Sequence, residues 1–157
     1  MEDDTRLSRD AYFGIIAAAA SLLSTCSRRK VGTVMTVDGR VISTGYNGAP
    51  KGFKHCFGDG CMFGGSSCIN TIHAEINAIT RCREVADTVY CTDTPCINCF
   101  KELLAHNPMI KIKWMRVYYD HARDHFVVMH DCHERLERMN LVVLEEVQKH
   151  IGFEYDD

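Results

Sequence analysis

No stretch of the 157 residues stays apolar long enough to cross a bilayer. The longest run, Ala11 to Leu23, has 13 residues and contains Gly14 and Ser21, against the roughly 20 that a spanning helix needs. It reads as a buried helix. An excess of either charge is also missing. Eighteen Lys and Arg face 21 Asp and Glu, a net charge of -3, so there is no electrostatic footprint for long nucleic acid. Repeats, linkers and low-complexity tracts are absent, and residues 1–157 are expected to form a single domain. With 46% hydrophobic and 25% charged residues, the composition excludes disorder and collagen-like structure. The start, Met1-Glu2-Asp3-Asp4, is acidic where a secretory leader is basic. A cytoplasmic, reducing setting is therefore expected.

What the chain has in excess is cysteine, nine of them. An odd number cannot pair completely, and small disulfide scaffolds are usually shorter than this. Reduced cysteines are more often metal ligands or catalytic groups, so metal is the first chemistry to look for.

Ser8 can cap a helix from about Arg9 to Thr25. Val31–Thr36 and Arg40–Thr44 read as a hairpin around Asp38-Gly39. Residues 45–68 hold seven of the eleven glycines together with Cys56, Cys61 and Cys68. A loop of that length usually carries function. A helix over His73–Arg83 follows, then a strand over Val85–Cys91. A helix capped by Thr94, with Pro95 in its first position, runs to about His106. Ile110–Tyr118 alternates as a strand does. Arg123–Met139 reads as a helix and Leu141–Val147 as a last strand. Helical crossovers join parallel strands. The expected fold is thus α/β, a three-layer αβα sandwich on a mixed five-stranded sheet with strands three to five parallel.

Two short segments carry the chemistry. His73-Ala74-Glu75 opens one helix, and Pro95-Cys96-Ile97-Asn98-Cys99 opens another. Cys96 and Cys99, three apart, share a face of the first turn. There the unpaired N–H groups and the helix dipole stabilise thiolates, the metal-binding form. One imidazole and two thiolates leave a fourth position open, as in a catalytic zinc site; a structural zinc takes four protein ligands. Zinc lowers the pKa of water in that position toward ~7. Glu75, two residues from His73, is placed to handle the proton. A purely structural zinc site is the competing reading, but no fourth ligand lies nearby in the sequence.

The order and context of these segments match the zinc deaminase signature. The sequence resembles the cytidine deaminase superfamily and, within it, the deoxycytidylate (dCMP) deaminases, from about Arg9 to about Tyr119. Two further blocks carry the likeness: Ser27-Arg28-Arg29-Lys30-Val31-Gly32 and Thr44-Gly45-Tyr46-Asn47-Gly48-Ala49-Pro50. The second is typical of dCMP deaminases and not of free cytidine or tRNA adenosine deaminases. The resemblance implies zinc-dependent conversion of dCMP and water to dUMP and ammonia, which feeds thymidylate synthesis. It implies His73, Cys96 and Cys99 as zinc ligands and Glu75 as the proton-transfer residue. Asn47, Ala74, Thr94 and Tyr119 would contact the substrate, and Arg28, aided by Lys30, its 5′-phosphate. Tyr118 and Tyr119 end the fourth strand pointing opposite ways, so at most one lines the pocket.

Some dCMP deaminases carry a second, structural zinc. Here Cys26, Cys56, Cys61 and Cys68 would supply it, with His55 as an alternative ligand. Cys82, Cys91 and Cys132 read as core-filling thiols. His121, His125, His130 and His133 read as an exposed helix face at a subunit contact. The family is commonly hexameric, activated by dCTP and inhibited by dTTP with magnesium. Gly45, Tyr46 and Gly48 would face such an effector. The alternatives are a deaminase of dCTP, a deaminase of a base within RNA or DNA, and a non-catalytic zinc-binding interaction protein.

Overall fold

The computed structural model describes residues 6–55, 63–64, 67–68, 70–117 and 135–155, with backbone only at 63–64 and 67–68. Helix α1 (Arg9–Ser21) is capped by Ser8, whose hydroxyl accepts from the Ala11 N–H at 3.1 Å. Strands β1 (Gly32–Val37) and β2 (Arg40–Tyr46) pair antiparallel. Their turn puts Asp38 at φ 50° and Gly39 at φ 72°, the left-handed pair that a two-residue hairpin requires. Strands β3 (Phe63–Gly64) and β4 (Ser67–Cys68) form a separate small hairpin inside the glycine-rich stretch. Then come α2 (Ala74–Thr80), β5 (Thr88–Asp93), α3 (Ile97–His106), β6 (Lys111–Arg116), β7 (Leu136–Arg138) and α4 (Leu141–Ile151).

The main sheet has the order β2-β1-β5-β6-β7. β1 runs antiparallel to both neighbours, whereas β5, β6 and β7 are parallel. The mixed five-stranded sheet with its last three strands parallel is therefore as expected. The fifth strand, however, is not the expected segment. Leu141–Val147 is the start of α4, and the expected helix over Arg123–Met139 gives way to β7 at its end; residues 123–134 lie outside the described residues. Leu-Val-Val-Leu suits strand and helix equally well. Caps decide between them: Asn140 accepts from the Val143 N–H at 3.0 Å, and Gly152 closes the helix at φ 70°.

Alternation along the strands divides the core. Val34, Tyr90 and Met115 face α1 and α4, joined by Phe13, Val143, Leu144 and Val147. Met35, Val89, Cys91, Ile112 and Trp114 face α2 and α3, around the fully buried Phe100 and Leu103. Each large apolar side chain so buried stabilises the fold by about 1.5–3 kcal/mol. The alanine run of α1 lets β1 approach closely: a Cβ on Gly32 would sit 2.0 Å from the Ala17 carbonyl oxygen. No helix among the described residues is long and apolar enough to cross a membrane.

His106, near the end of α3, accepts from the Ala86 N–H through Nε2 at 2.9 Å. Burial lowers its pKa below the ordinary 6.5. The unfolded chain then binds this proton more readily than the folded one. The contribution is complete above pH 6.5 and is lost as the pH falls below it. Thermal melts from pH 7.5 to 5 should show a decline that His106→Gln reduces, since an amide oxygen accepts the same bond without titrating; equal slopes in both proteins would refute this.

Candidate metal and catalytic site

Two helix starts meet beside the carboxyl end of β5. His73 is the N-cap of α2, and Cys96 is the N-cap of α3. The expectation that Thr94 caps α3 with Pro95 in its first turn is corrected. Cys96 Sγ accepts from the Cys99 N–H at 3.4 Å, and the helix begins at Ile97. Thr94 turns toward β6 instead, giving its N–H and its hydroxyl to the Arg116 carbonyl at 2.9 and 3.2 Å. Sulfur takes the cap because an anion there meets unpaired N–H groups and the positive end of the helix.

His73 Nδ1 lies 3.2 Å from Cys99 Sγ and 3.5 Å from Cys96 Sγ. All three donor atoms fall within 4.8 Å of one another, and no other such trio of ligand residues occurs among the described residues. Tetrahedral zinc, with bonds of about 2.0–2.1 Å to nitrogen and 2.3 Å to sulfur, places its ligand atoms about 3.6–3.8 Å apart. The trio needs only a slight opening to accept the ion, so donor chemistry and spacing both fit zinc. A hydrogen bond from Cys99 pulls the Cys96 thiol down to about 3, helped by His73 and the Cys99 N–H against the effect of burial. Its donating partner Cys99 is pushed up, by that bond first and then by burial. Without metal the two sulfurs thus share one proton, and a dication takes its place.

Glu75, in the first turn of α2, is 4% exposed. Burial pushes its carboxyl up to about 7, against the pull of its own backbone N–H and of His73. A carboxyl poised there can both take and return a proton at neutral pH.

Ala74 is fully buried next to Glu75. Asn47 is buried, its Oδ1 accepting from the Ser24 hydroxyl at 2.6 Å and the Val31 N–H at 2.8 Å. Its Nδ2 donates to the Arg29 carbonyl at 2.7 Å, which pins the 24–31 segment to the end of β2. Arg28 and Lys30 are exposed. Cys91 is buried in the core and Cys82 is half-buried. Cys26 is buried. Its expected partners Cys56 and Cys61, and the Cys68 side chain, lie outside the described residues. So do Tyr118, Tyr119, Cys132 and His121, His125, His130 and His133.

Gly45 has a packing role that sequence reasoning missed. A Cβ there would sit 2.2 Å from the Ala74 carbonyl oxygen and 2.6 Å from the Ala78 nitrogen. α2 rests on β2 at this point, held by Asn77 Nδ2 on the Tyr46 carbonyl at 2.8 Å and by the Ser43 hydroxyl on the Ala78 carbonyl at 2.7 Å. Asp93 and Arg116 were missed as well. An acid beside Thr94-Pro95-Cys96, at the end of a strand expected to be parallel, was the available signal.

A mixed sheet between helix layers carries an imidazole and two sulfurs at two helix starts beside a buried acid, a donor set that fits zinc. The chain belongs to the family described as cytidine and deoxycytidylate deaminase zinc-binding region, which it matches over residues 7–118. It is 38% identical over 104 residues to ComE operon protein 2 of Bacillus subtilis, covering 63% of this chain and 55% of that protein. It is 40% identical over 105 residues to the deoxycytidylate deaminase of Saccharomyces cerevisiae, covering 60% of this chain and 33% of that protein. The chain thus spans about half and about a third of the length of these two relatives. Among solved structures it is similar to the dCMP deaminase of cyanophage S-TIM5 in complex with dCMP and dUMP. That likeness has 27% identity and a TM-score of 0.67, and it covers 88% of this chain and 99% of that one.

Cys96→Ser or Cys99→Ser should each lower bound zinc by about one equivalent per chain, as expected for loss of a thiolate from a three-ligand site. Elemental analysis of protein purified without added metal checks this, and Glu75→Gln should keep the full zinc content. Gly45→Ala should destabilise the protein by about 1–3 kcal/mol through overpacking of α2, read from denaturant unfolding.

Proposed function

We propose that this protein deaminates dCMP hydrolytically, giving dUMP and ammonia and so supplying dUMP for dTTP synthesis. The observation that carries the reading is the His73–Cys96–Cys99 trio beside a buried Glu75 whose carboxyl sits near neutrality. Family membership and the likeness to a deaminase holding dCMP and dUMP support it.

His73, Cys96 and Cys99 would hold zinc, which supplies a Lewis acid that brings water to attack at neutral pH. Glu75 takes the proton of the attacking water on its carboxylate. It delivers that proton to the ring nitrogen next to C4, then takes the remaining proton of the added hydroxyl as the C4 carbonyl forms and passes it to the amine, which leaves as ammonia when the C4–N bond breaks. Burial suits it to both steps, because its protonated and ionised forms lie close in free energy. Asn47, Ala74, Thr94 and Tyr119 are assigned to the sugar and base. Arg28, with Lys30, is assigned to the phosphate through a charge-assisted contact.

Further assignments rest on the family resemblance. Gly45, Tyr46 and Gly48 are assigned to an effector site for dCTP and dTTP with Mg2+. Cys26, Cys56, Cys61 and Cys68 are assigned to a second zinc. Residues 1–157 are assigned to one catalytic domain that assembles as a homohexamer in the cytoplasm.

Ammonia release should be measured from cytidine, CMP, dCMP and dCTP, each with and without dCTP or dTTP as effector. The expected result is turnover that favours dCMP and falls by about 10²–10⁴-fold in Glu75→Gln, the range for loss of a positioned proton-transfer group. Activity on an oligonucleotide but on no mononucleotide would overturn the proposal.

A further inference from the structure

One acid stands in the middle of a basic cluster. The Asp93 side chain ends β5 and is 6% exposed. Arg29, in the segment before β1, donates to its Oδ2 from both Nε and a terminal nitrogen. Arg116, at the end of β6, donates to Oδ1 at 2.7 Å and, from the same nitrogen, to the Lys30 carbonyl at 2.9 Å. The Thr92 hydroxyl adds a bond to Oδ1 at 2.6 Å. Phe153 lies 4.6 Å from the Arg116 guanidinium, whose Nε is buried without an acceptor among the described residues. The cluster occupies the carboxyl ends of two parallel strands, where open α/β sheets bind ligands. It also leads directly into Thr94-Pro95-Cys96 and the metal donors.

We propose that Asp93 is a specificity-determining residue that limits the positive charge offered to the nucleotide phosphate and thereby favours a monophosphate over a triphosphate. The inference rests on the nucleotide reading above and adds the residue that sets phosphate number. Arg28, Arg29, Lys30 and Arg116 bring four positive charges to this end of the sheet, and Asp93 cancels one. It also occupies the Nε edge of the Arg29 guanidinium, one of that side chain's two forks for a phosphate. A triphosphate carries about two more negative charges than a monophosphate. Each positive charge cancelled nearby therefore weakens the triphosphate more. At about 8 Å in a water-like dielectric, one charge acting on two extra ligand charges changes the affinity ratio roughly fivefold to tenfold.

The test compares wild type, Asp93→Asn and the charge-restoring double variant Asp93→Asn/Arg29→Gln. Affinities for dUMP and dUTP are measured by calorimetry without magnesium at low and high salt. Asp93→Asn should raise the dUTP-to-dUMP affinity ratio roughly fivefold to tenfold at low salt, and less at high salt, where screening is stronger. The double variant should return toward the wild-type ratio. A ratio unmoved in Asp93→Asn, or moved equally in the double variant, overturns the proposal, because a merely structural acid affects both ligands alike. Should Asp93→Asn fail to fold, Arg29→Gln reads the same charge from the other side. There Asp93 keeps Arg116 and Thr92, and the ratio should fall; an unchanged ratio again overturns the proposal. Absence of ammonia release by wild type from every cytosine nucleotide would overturn the proposed activity, whereas the binding ratios decide the role of Asp93.

Discussion

The sulfur of Cys96 performs two tasks that cannot be separated. It accepts the Cys99 N–H in the first turn of α3 and it faces the imidazole of His73. Capping needs an electron-rich atom at the helix start, and metal binding needs a thiolate. One deprotonation meets both needs, so local folding at α3 and readiness for metal are coupled. Cys99, the neighbour that holds the shared proton, lies buried one turn on. The imidazole arrives on a second helix with its own constraint: α2 can come this close to the sheet only because position 45 has no side chain. Two helix ends, placed by a cap in one case and by a missing Cβ in the other, thus set the geometry of the donor trio.

Much of this was legible in the sequence for identifiable reasons. Asp38-Gly39 announces its hairpin through left-handed conformations that few other residues accept. The helices between later strands imply parallel pairing, and β5, β6 and β7 are parallel. The Cys-x-x-Cys spacing places both sulfurs on one helix face wherever the helix begins, so the one-to-two-residue error in the start of α3 left the donor set intact. What failed was the end of the chain. Leu141–Val147 is rich in residues that fit either element, and the strand that completes the sheet, Leu136–Arg138, is only three residues long. Three residues carry too little alternation to stand out, whereas Asn140 and Gly152 mark the ends of α4 and were the better guide.

The tertiary roles of Gly45, Asp93 and Arg116 could not be read locally, because each depends on an element distant in sequence. Arg29 lies 64 positions from Asp93, and no spacing rule joins them. The basic run at 28–30 announces a cationic surface, but only the fold reveals that its middle member is turned inward onto an acid. That separates three adjacent residues of like charge into two roles: Arg29 braces the sheet end, while Arg28 and Lys30 stay at the surface.

Two buried acids at this end of the sheet illustrate how surroundings assign chemistry. Glu75 sits where loss of solvent outweighs its backbone N–H, the His73 imidazole and a Cys99 hydrogen bond, so its carboxyl is pushed up to about 7. Asp93 accepts from two guanidiniums and a hydroxyl, so cationic donors surround it. The same functional group thus meets loss of solvent in one place and cationic donors in the other. Environments that treat two acids so differently mark separate tasks. In the proposed deamination Glu75 would exchange protons with the ring, while Asp93 would hold two guanidiniums in place. Each acid is placed by the end of an element, Glu75 in the first turn of α2 and Asp93 at the end of β5, three residues before the sulfur that caps α3.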